Sequence, residues 1–192
     1  GTCALVCSDA ARAPVVLWSR AFETSPDTYT AAAYIQNNNV NKMAREVSYS
    51  FQLFDADNIL ILEKDGTVDL PPVQTIPVVE PNLKVGSRTV ARTLFAFSEV
   101  PTWVSVPPET IPLFRSHKDT FASDGSSLSA TIENTTILDA ARVTAVATLF
   151  DQGGVAIGAS KSLIPSLPHK SSTSVFFTWP QGVPGVSRVE IT

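Results

Sequence analysis

Two acids sit in the same local setting, 96 residues apart. Asp55 closes Leu53-Phe54-Asp55 and is followed by Ala56-Asp57-Asn58, while Asp151 closes Leu149-Phe150-Asp151 and is followed by Gln152-Gly153-Gly154. A carboxylate in such a place has three uses. It can act as a general base, it can ligate calcium, or it can hold the turn by accepting backbone N–H bonds from residues just ahead of it. Asp55-x-Asp57 begins like a calcium loop, but Ile59 stands where the next oxygen ligand belongs, and the central Gly and terminal Glu are missing. The second copy retains a single acid. The spacing therefore favours turn acids, with Asn58 and Gly153-Gly154 supplying the backbone freedom that a hairpin requires.

Arg92 and Arg188 also share a register near the end of each copy. They read either as exposed strand arginines or as a repeated guanidinium tie to Asp55 and Asp151. Cys3 and Cys7 lie together at the start of the chain, spaced Cys-x3-Cys rather than the Cys-x2-Cys of redox motifs and zinc ribbons. A disulfide between them, a disulfide to a cysteine upstream, and a pair of inert thiols all fit. His117 and His169 stand far apart, and no metal set can be assembled from them. The chain has no Gly-x-Ser-x-Gly, no His-Glu-x-x-His and no Gly-rich phosphate loop. No catalytic residue, cofactor or metal is expected. A hydrolase with an unrecognised carboxylate pair remains the enzymatic alternative. Asn134-Thr135-Thr136 is a glycosylation sequon, meaningful only in a host that modifies asparagine.

The elements that position these residues follow from period-two alternation, since helical periodicity is nearly absent. Val47, Tyr49, Phe51 and Leu53 form one face of a strand; Tyr29, Ala31, Ala33 and Ile35 form another. Ile59 to Leu62 reads as a third strand closed by Asp65-Gly66, and Thr89 to Phe97 as a fourth. Turn residues recur every 8 to 12 residues or so, as in an antiparallel β-sandwich.

The 96-residue offset extends well beyond the two acids. It joins Leu17 to Leu113, Trp18 to Phe114, Asn38 to Asn134, Ala44 to Ala140, Ile61 to Ile157, Pro72 to Pro168 and Arg92 to Arg188. Such a series means a duplicated domain. The expected organisation is an arm over 1–13, a first sandwich over 14–106 and a second over 107–192, both of immunoglobulin or fibronectin-III type. Pro101, Pro107, Pro108 and Pro112 make the junction stiff, with Trp103 expected to pack into it.

Composition narrows the setting. Hydrophobic residues make up 44% of the 192, enough for packed cores, while charged residues are only 17%, as in many secreted or surface β proteins. A net charge of −4 provides no basic footprint for nucleic acid or anionic membrane. No apolar run reaches the roughly 18 residues of a membrane helix. The chain opens without Met, which reads as removal of an upstream segment in processing or as a trimmed fragment.

Tyr49-Ser50-Phe51-Gln52-Leu53-Phe54-Asp55, repeated as Ala147-Thr148-Leu149-Phe150-Asp151, resembles the FxLYD-type domains of bacterial envelope proteins. These are immunoglobulin-like sandwiches related to the late-embryogenesis-abundant fold. Asn38, Phe51, Leu53, Phe54, Asp55, Asn58 and Pro72 match in the first copy, and Asn134, Leu149, Phe150, Asp151, Gly154 and Pro168 in the second. The opening Gly-Thr-Cys-Ala-Leu-Val-Cys is similar to the Cys-rich segment that precedes such domains. The resemblance implies a sandwich fold and an extracytoplasmic location, and it brings no catalytic residues with it. The expected partner is a protein, either another copy or another envelope component. A surface filament assembled through the N-terminal arm is the rival within the binding class.

Overall fold

The computed structural model describes residues 10–192. Cys3 and Cys7, and most of the expected arm, lie outside them. The described chain is all-β: β1 Val15–Ser25, β2 Thr28–Asn37, β3 Lys42–Phe54, β4 Leu60–Leu70, β5 Gln74–Lys84, β6 Arg92–Phe97 and a short β7 Val104–Ser105, followed after a 3-10 turn Pro108–Thr110 by β8 Phe114–Phe121, β9 Ser127–Asn134, β10 Ala140–Phe150, β11 Ala156–Leu167, β12 Ser172–Thr178 and β13 Arg188–Ile191. No helix among the described residues is long and apolar enough to cross a membrane.

The strands form four antiparallel sheets, ordered β1-β2-β5, β4-β3-β6 with β7 added to β3, β11-β10-β13, and β12-β9-β8. The first two enclose one core, which takes Ala31, Ala33 and Ile35 from β2 and Val47, Tyr49, Phe51 and Leu53 from β3. The last two enclose a second core around Leu128, Ala130, Ala147, Leu149 and Phe177. Strand for strand, β8 to β13 repeat β1 to β6, and the expected pair of β-sandwiches is present.

The duplication is less uniform than a single offset implies. Phe54 pairs with Arg92 and Phe150 with Arg188, an offset of 96. In the companion sheets Ala33 pairs with Val78 and Ala130 with Val175, an offset of 97. The first strands differ more. Ser19 lies opposite Ala33 while Lys118 lies opposite Ala130, so the offset there is 118 − 19 = 99. Leu17 with Leu113 and Trp18 with Phe114 are thus not equivalent positions; the counterpart of Trp18 is His117, which lies opposite Thr131 as Trp18 lies opposite Tyr34. Turns and a strand bulge absorb the inserted residues. Val68 and Ile164 differ by 96, Leu70 and Leu167 by 97, and the ladder shifts register between Ala44 and Val47, since an uncompensated one-residue slip within a strand would invert its faces.

Two local expectations are corrected. Asp65-Gly66 does not close a strand but lies inside β4, where Gly66 pairs with Tyr49. A Cβ on Gly66 would stand 2.4 Å from the Tyr49 hydroxyl, which donates to Glu80 Oε1 at 2.5 Å. Burial and the Glu80 carboxylate raise the Tyr49 phenol well above its ordinary value. Trp103, expected in the junction, packs instead against the first core. Val106 N–H donates to Asn41 O at 2.8 Å, so the chain stays attached to the first sandwich before it crosses to the second.

Candidate functional site

Each Leu-Phe-Asp ends a central strand. Leu53 and Leu149 are fully buried in the two cores, and the phenylalanines point to the opposite faces. Asp55 Oδ1 accepts from Asp57 N and Ile59 N, both at 2.9 Å. Asp151 Oδ1 accepts from Gly153 N and Val155 N, again both at 2.9 Å. The backbone closes identically, with Asp55 N to Ile59 O at 3.0 Å and Asp151 N to Val155 O at 2.9 Å. Asn58 (φ 61°) and Gly154 (φ 77°) take the left-handed conformation at equivalent positions. These are three-residue hairpin loops with a left-handed last residue, and the carboxylate cross-braces them. The Ile59 N–H and the Arg88 guanidinium hold the Asp55 carboxyl below its ordinary value.

The arginine tie does not form as expected. Arg88, not Arg92, pairs with Asp55, at 2.5 Å. Arg92 donates to Asn58 Oδ1 at 2.6 Å and lies 4.3 Å from the centre of the Phe54 ring. Arg188 pairs with Glu190 at 2.9 Å and lies 4.1 Å from the centre of the Phe150 ring. The shared register serves a cation–π cover over the outward phenylalanine, opposite which each arginine lies in the ladder. The partner is the aromatic immediately before each acid, Phe54 and Phe150, a neighbour visible in the sequence but carrying no charge to point to it.

The asparagine reading also shifts by one residue. Asn37, not Asn38, is the counterpart of Asn134; both are fully buried, whereas Asn38 is exposed. Asn37 Nδ2 donates to Leu70 O at 3.1 Å and Pro71 O at 2.9 Å, and Asn134 Nδ2 donates to Leu138 O at 2.8 Å and Leu167 O at 3.0 Å. Each side chain bridges the end of one strand to a neighbouring one. The sequon amide is therefore consumed in the folded protein, and Asn134 offers no nitrogen to a sugar.

What unites the two sandwiches was not expected. β2 is buried on both faces along nearly its whole length. Its second face, with Ala32 and Tyr34, meets Val146, Thr148 and Phe150 of β10 and Ala156 and Ala159 of β11. Trp18 and Phe22 of β1 and Val79 of β5 complete the contact. Tyr34 donates to Thr148 Oγ1 at 2.8 Å in a buried hydrogen bond, and its ring lies 4.6 Å from that of Trp18 and 6.3 Å from that of Phe150. Burial pushes the Tyr34 phenol well above its ordinary value, the Thr148 hydroxyl partly opposing it. The molecule is a stack of four sheets with three buried layers between them.

A groove of about 770 Å³ opens beside this contact. Glu46 and Asp69 line one wall, and Asp139, Arg142 and Lys161 line the other. Asp69 Oδ1 accepts from Glu46 N at 2.8 Å. Asp139 Oδ1 accepts from His169 N at 2.9 Å and lies 2.6 Å from His169 Nδ1; these contacts hold its carboxyl below the ordinary value. His117 is also exposed and pairs with Asp119 at 2.9 Å. Among the described residues, no group of three His, Cys, Asp or Glu side chains is placed to hold a metal ion.

No known family matches the chain, and no curated protein matches it. Among solved structures, red sea bream transglutaminase is similar over 91% of this chain and 30% of its own, at 11% identity and a TM-score of 0.27. The chain thus spans under a third of that protein.

Proposed function

We propose that this chain is a non-enzymatic structural and interaction module, held outside the cytoplasm of a bacterial cell and presenting a protein-binding surface at a fixed geometry. The observation that carries the reading is the buried face between the sandwiches. Tyr34, Thr148 and Phe150 weld two repeats into one rigid body, so edges and loops far apart in sequence keep constant relative positions. A presenting scaffold needs that rigidity. Catalysis needs instead a set of reactive groups free to meet a substrate, and the polar residues with the most distinctive settings serve the fold. Asp55 and Asp151 brace hairpins, Asn37 and Asn134 bridge strands, and Asp139 holds the His169 turn. The sparse charge and the FxLYD-like hairpins support the extracytoplasmic placement.

Protease shaving of intact producing cells tests the placement. Cleavage of the chain without lysis is the expected result, and protection until lysis overturns it. Affinity capture from the cell envelope with the purified chain tests the binding role. A specific protein retained by wild-type protein but lost when the repeats are forced apart is expected; turnover of a small-molecule substrate in the groove would replace the reading.

A further inference from the structure

Among the described strands, β12 pairs with β9 alone and forms one edge of the outer sheet of the second sandwich. Asn134 N–H donates to Ser171 O at 2.9 Å and Trp179 N–H to Ser126 O at 2.8 Å. That fixes the alternation: odd-numbered residues of β12 turn their backbone groups to β9, while Ser172, Ser174, Phe176 and Thr178 turn theirs outward.

The first repeat has the same edge in β5, and there it is blocked. Pro77 lies opposite Tyr34 as Ser174 lies opposite Thr131, so Pro77 holds the place of Ser174. By the same offset Pro81 holds the place of Thr178. A proline at an outward position removes the donor that an incoming strand needs, and its ring obstructs approach. Other edges carry guards too: Glu63, Lys64 and Asp65 in β4, Lys118 and Asp119 in β8, and Pro165 in β11. β12 has none. Its sequence, Ser-Thr-Ser-Val-Phe-Phe-Thr, has no charge and no proline, and Phe176 is 68% exposed beside the open row.

We propose that β12 is the edge through which two copies of this chain associate, antiparallel, into one continuous sheet. The pairing is self-complementary. About a two-fold axis at Val175, Ser174 faces Phe176 of the partner subunit and Ser172 faces Thr178 of the partner subunit, so every outward residue meets another outward residue. No charged side chains oppose each other across the axis. The two Phe176 rings lie on the same outer face beside the axis, within the diagonal reach of aromatic side chains, and cover each other. The proposal deepens the interaction-module reading by naming the partner and the edge.

Sedimentation equilibrium of the full chain over a wide concentration range is the test. Wild-type mass should rise from 20.5 kDa toward twice that value. Ser174→Pro gives the second repeat the guard that Pro77 gives the first, and Phe176→Lys places a charge on the exposed side without touching the core. Each should weaken dimerisation by about tenfold or more, with an unchanged circular-dichroism spectrum. A wild-type protein that stays monomeric overturns the proposal, as does a dimer that persists undiminished in both variants. Monomeric chain that still captures an envelope protein would sink the self-pairing and leave the module reading standing.

Discussion

The two repeats share a fold, a hairpin and an arginine cover, yet only one of two equivalent faces is buried. On β10 and β11 the contact presents Val146, Thr148, Phe150, Ala159 and, at its margin, Lys161; at the 96-residue offset the first repeat has Ser50, Gln52, Phe54, Glu63 and Asp65. The converse face behaves likewise. Ala32 and Tyr34 of β2 are buried in the contact, and their counterparts Ser129 and Thr131 are partly solvated. The joined faces are built from aromatic and small apolar side chains; the free ones are mainly polar. Head-to-tail stacking of identical faces generates an open array, and the polar substitutions end it after two repeats. Phe176 is the exception, an exposed aromatic where Val79 is buried, and it borders the β12 edge, which carries neither charge nor proline.

Exchanging residues between the faces should sharpen this contrast. The largest effect is expected from Ala159→Glu, which puts the residue of Glu63 into a site 3% exposed. A carboxylate buried without a partner should cost about 4 kcal/mol, while the reverse change, Glu63→Ala, should stay within about 0.5 kcal/mol, both by urea denaturation. Next comes Phe150→Ala, at about 3–4 kcal/mol for a ring packed under the first repeat. Phe54→Ala, at a half-buried ring covered by Arg92, should cost about 1 kcal/mol. Equal costs at Phe54 and Phe150 would mean that the two faces do not differ.

Asn134→Ala strips a partner from the buried Leu167 carbonyl and from the partly buried Leu138 carbonyl and should lose about 2 kcal/mol, whatever the glycosylation competence of the host. Tyr34→Phe removes one buried hydrogen bond at about 1 kcal/mol, and a double-mutant cycle with Thr148→Val should recover a coupling of similar size. The smallest effect is that of acid. Asp55, Asp124 and Asp139 all hold their carboxyls below the ordinary 3.8 in the folded protein. Their contribution is fully present above that value and is lost as pH falls through their depressed ones. Thermal stability should therefore be insensitive to these groups from pH 7 down to about 5 and fall below about 4. Asp139→Asn should flatten part of that acid limb.

Much of the architecture was legible because alternation is a direct imprint of the pleat. Tyr29, Ala31, Ala33 and Ile35 pointed to one core, and Phe51 and Leu53 to its opposite wall. The duplication was legible because sheet registers tolerate little drift within a strand. Its details were not, since the compensating insertions sit in turns and at a bulge, and a 96-residue match at Asn38 and a 97-residue match at Asn37 read equally well. The buried contact was hidden for a different reason. In β2 every position from Thr28 to Ile35 is Ala, Tyr, Thr or Ile, and such a strand reads as one good core face with a neutral back. Only the juxtaposition of that back with Val146 and Phe150, more than a hundred residues away, shows that it is a second core. The charge of Arg92 points to Asp55, but its guanidinium lies over Phe54 and donates to Asn58 Oδ1 instead.

The buried contact through Tyr34, Thr148 and Phe150 joins the two repeats into one body. Small-angle X-ray scattering at low concentration tests it most directly. A pair-distance distribution with a single maximum and the short maximum dimension of a four-sheet stack is predicted, broadening only when Ala159→Glu breaks the contact. Two resolved maxima from wild-type protein, with the extended profile of sandwiches strung on a proline-rich linker, would contradict it.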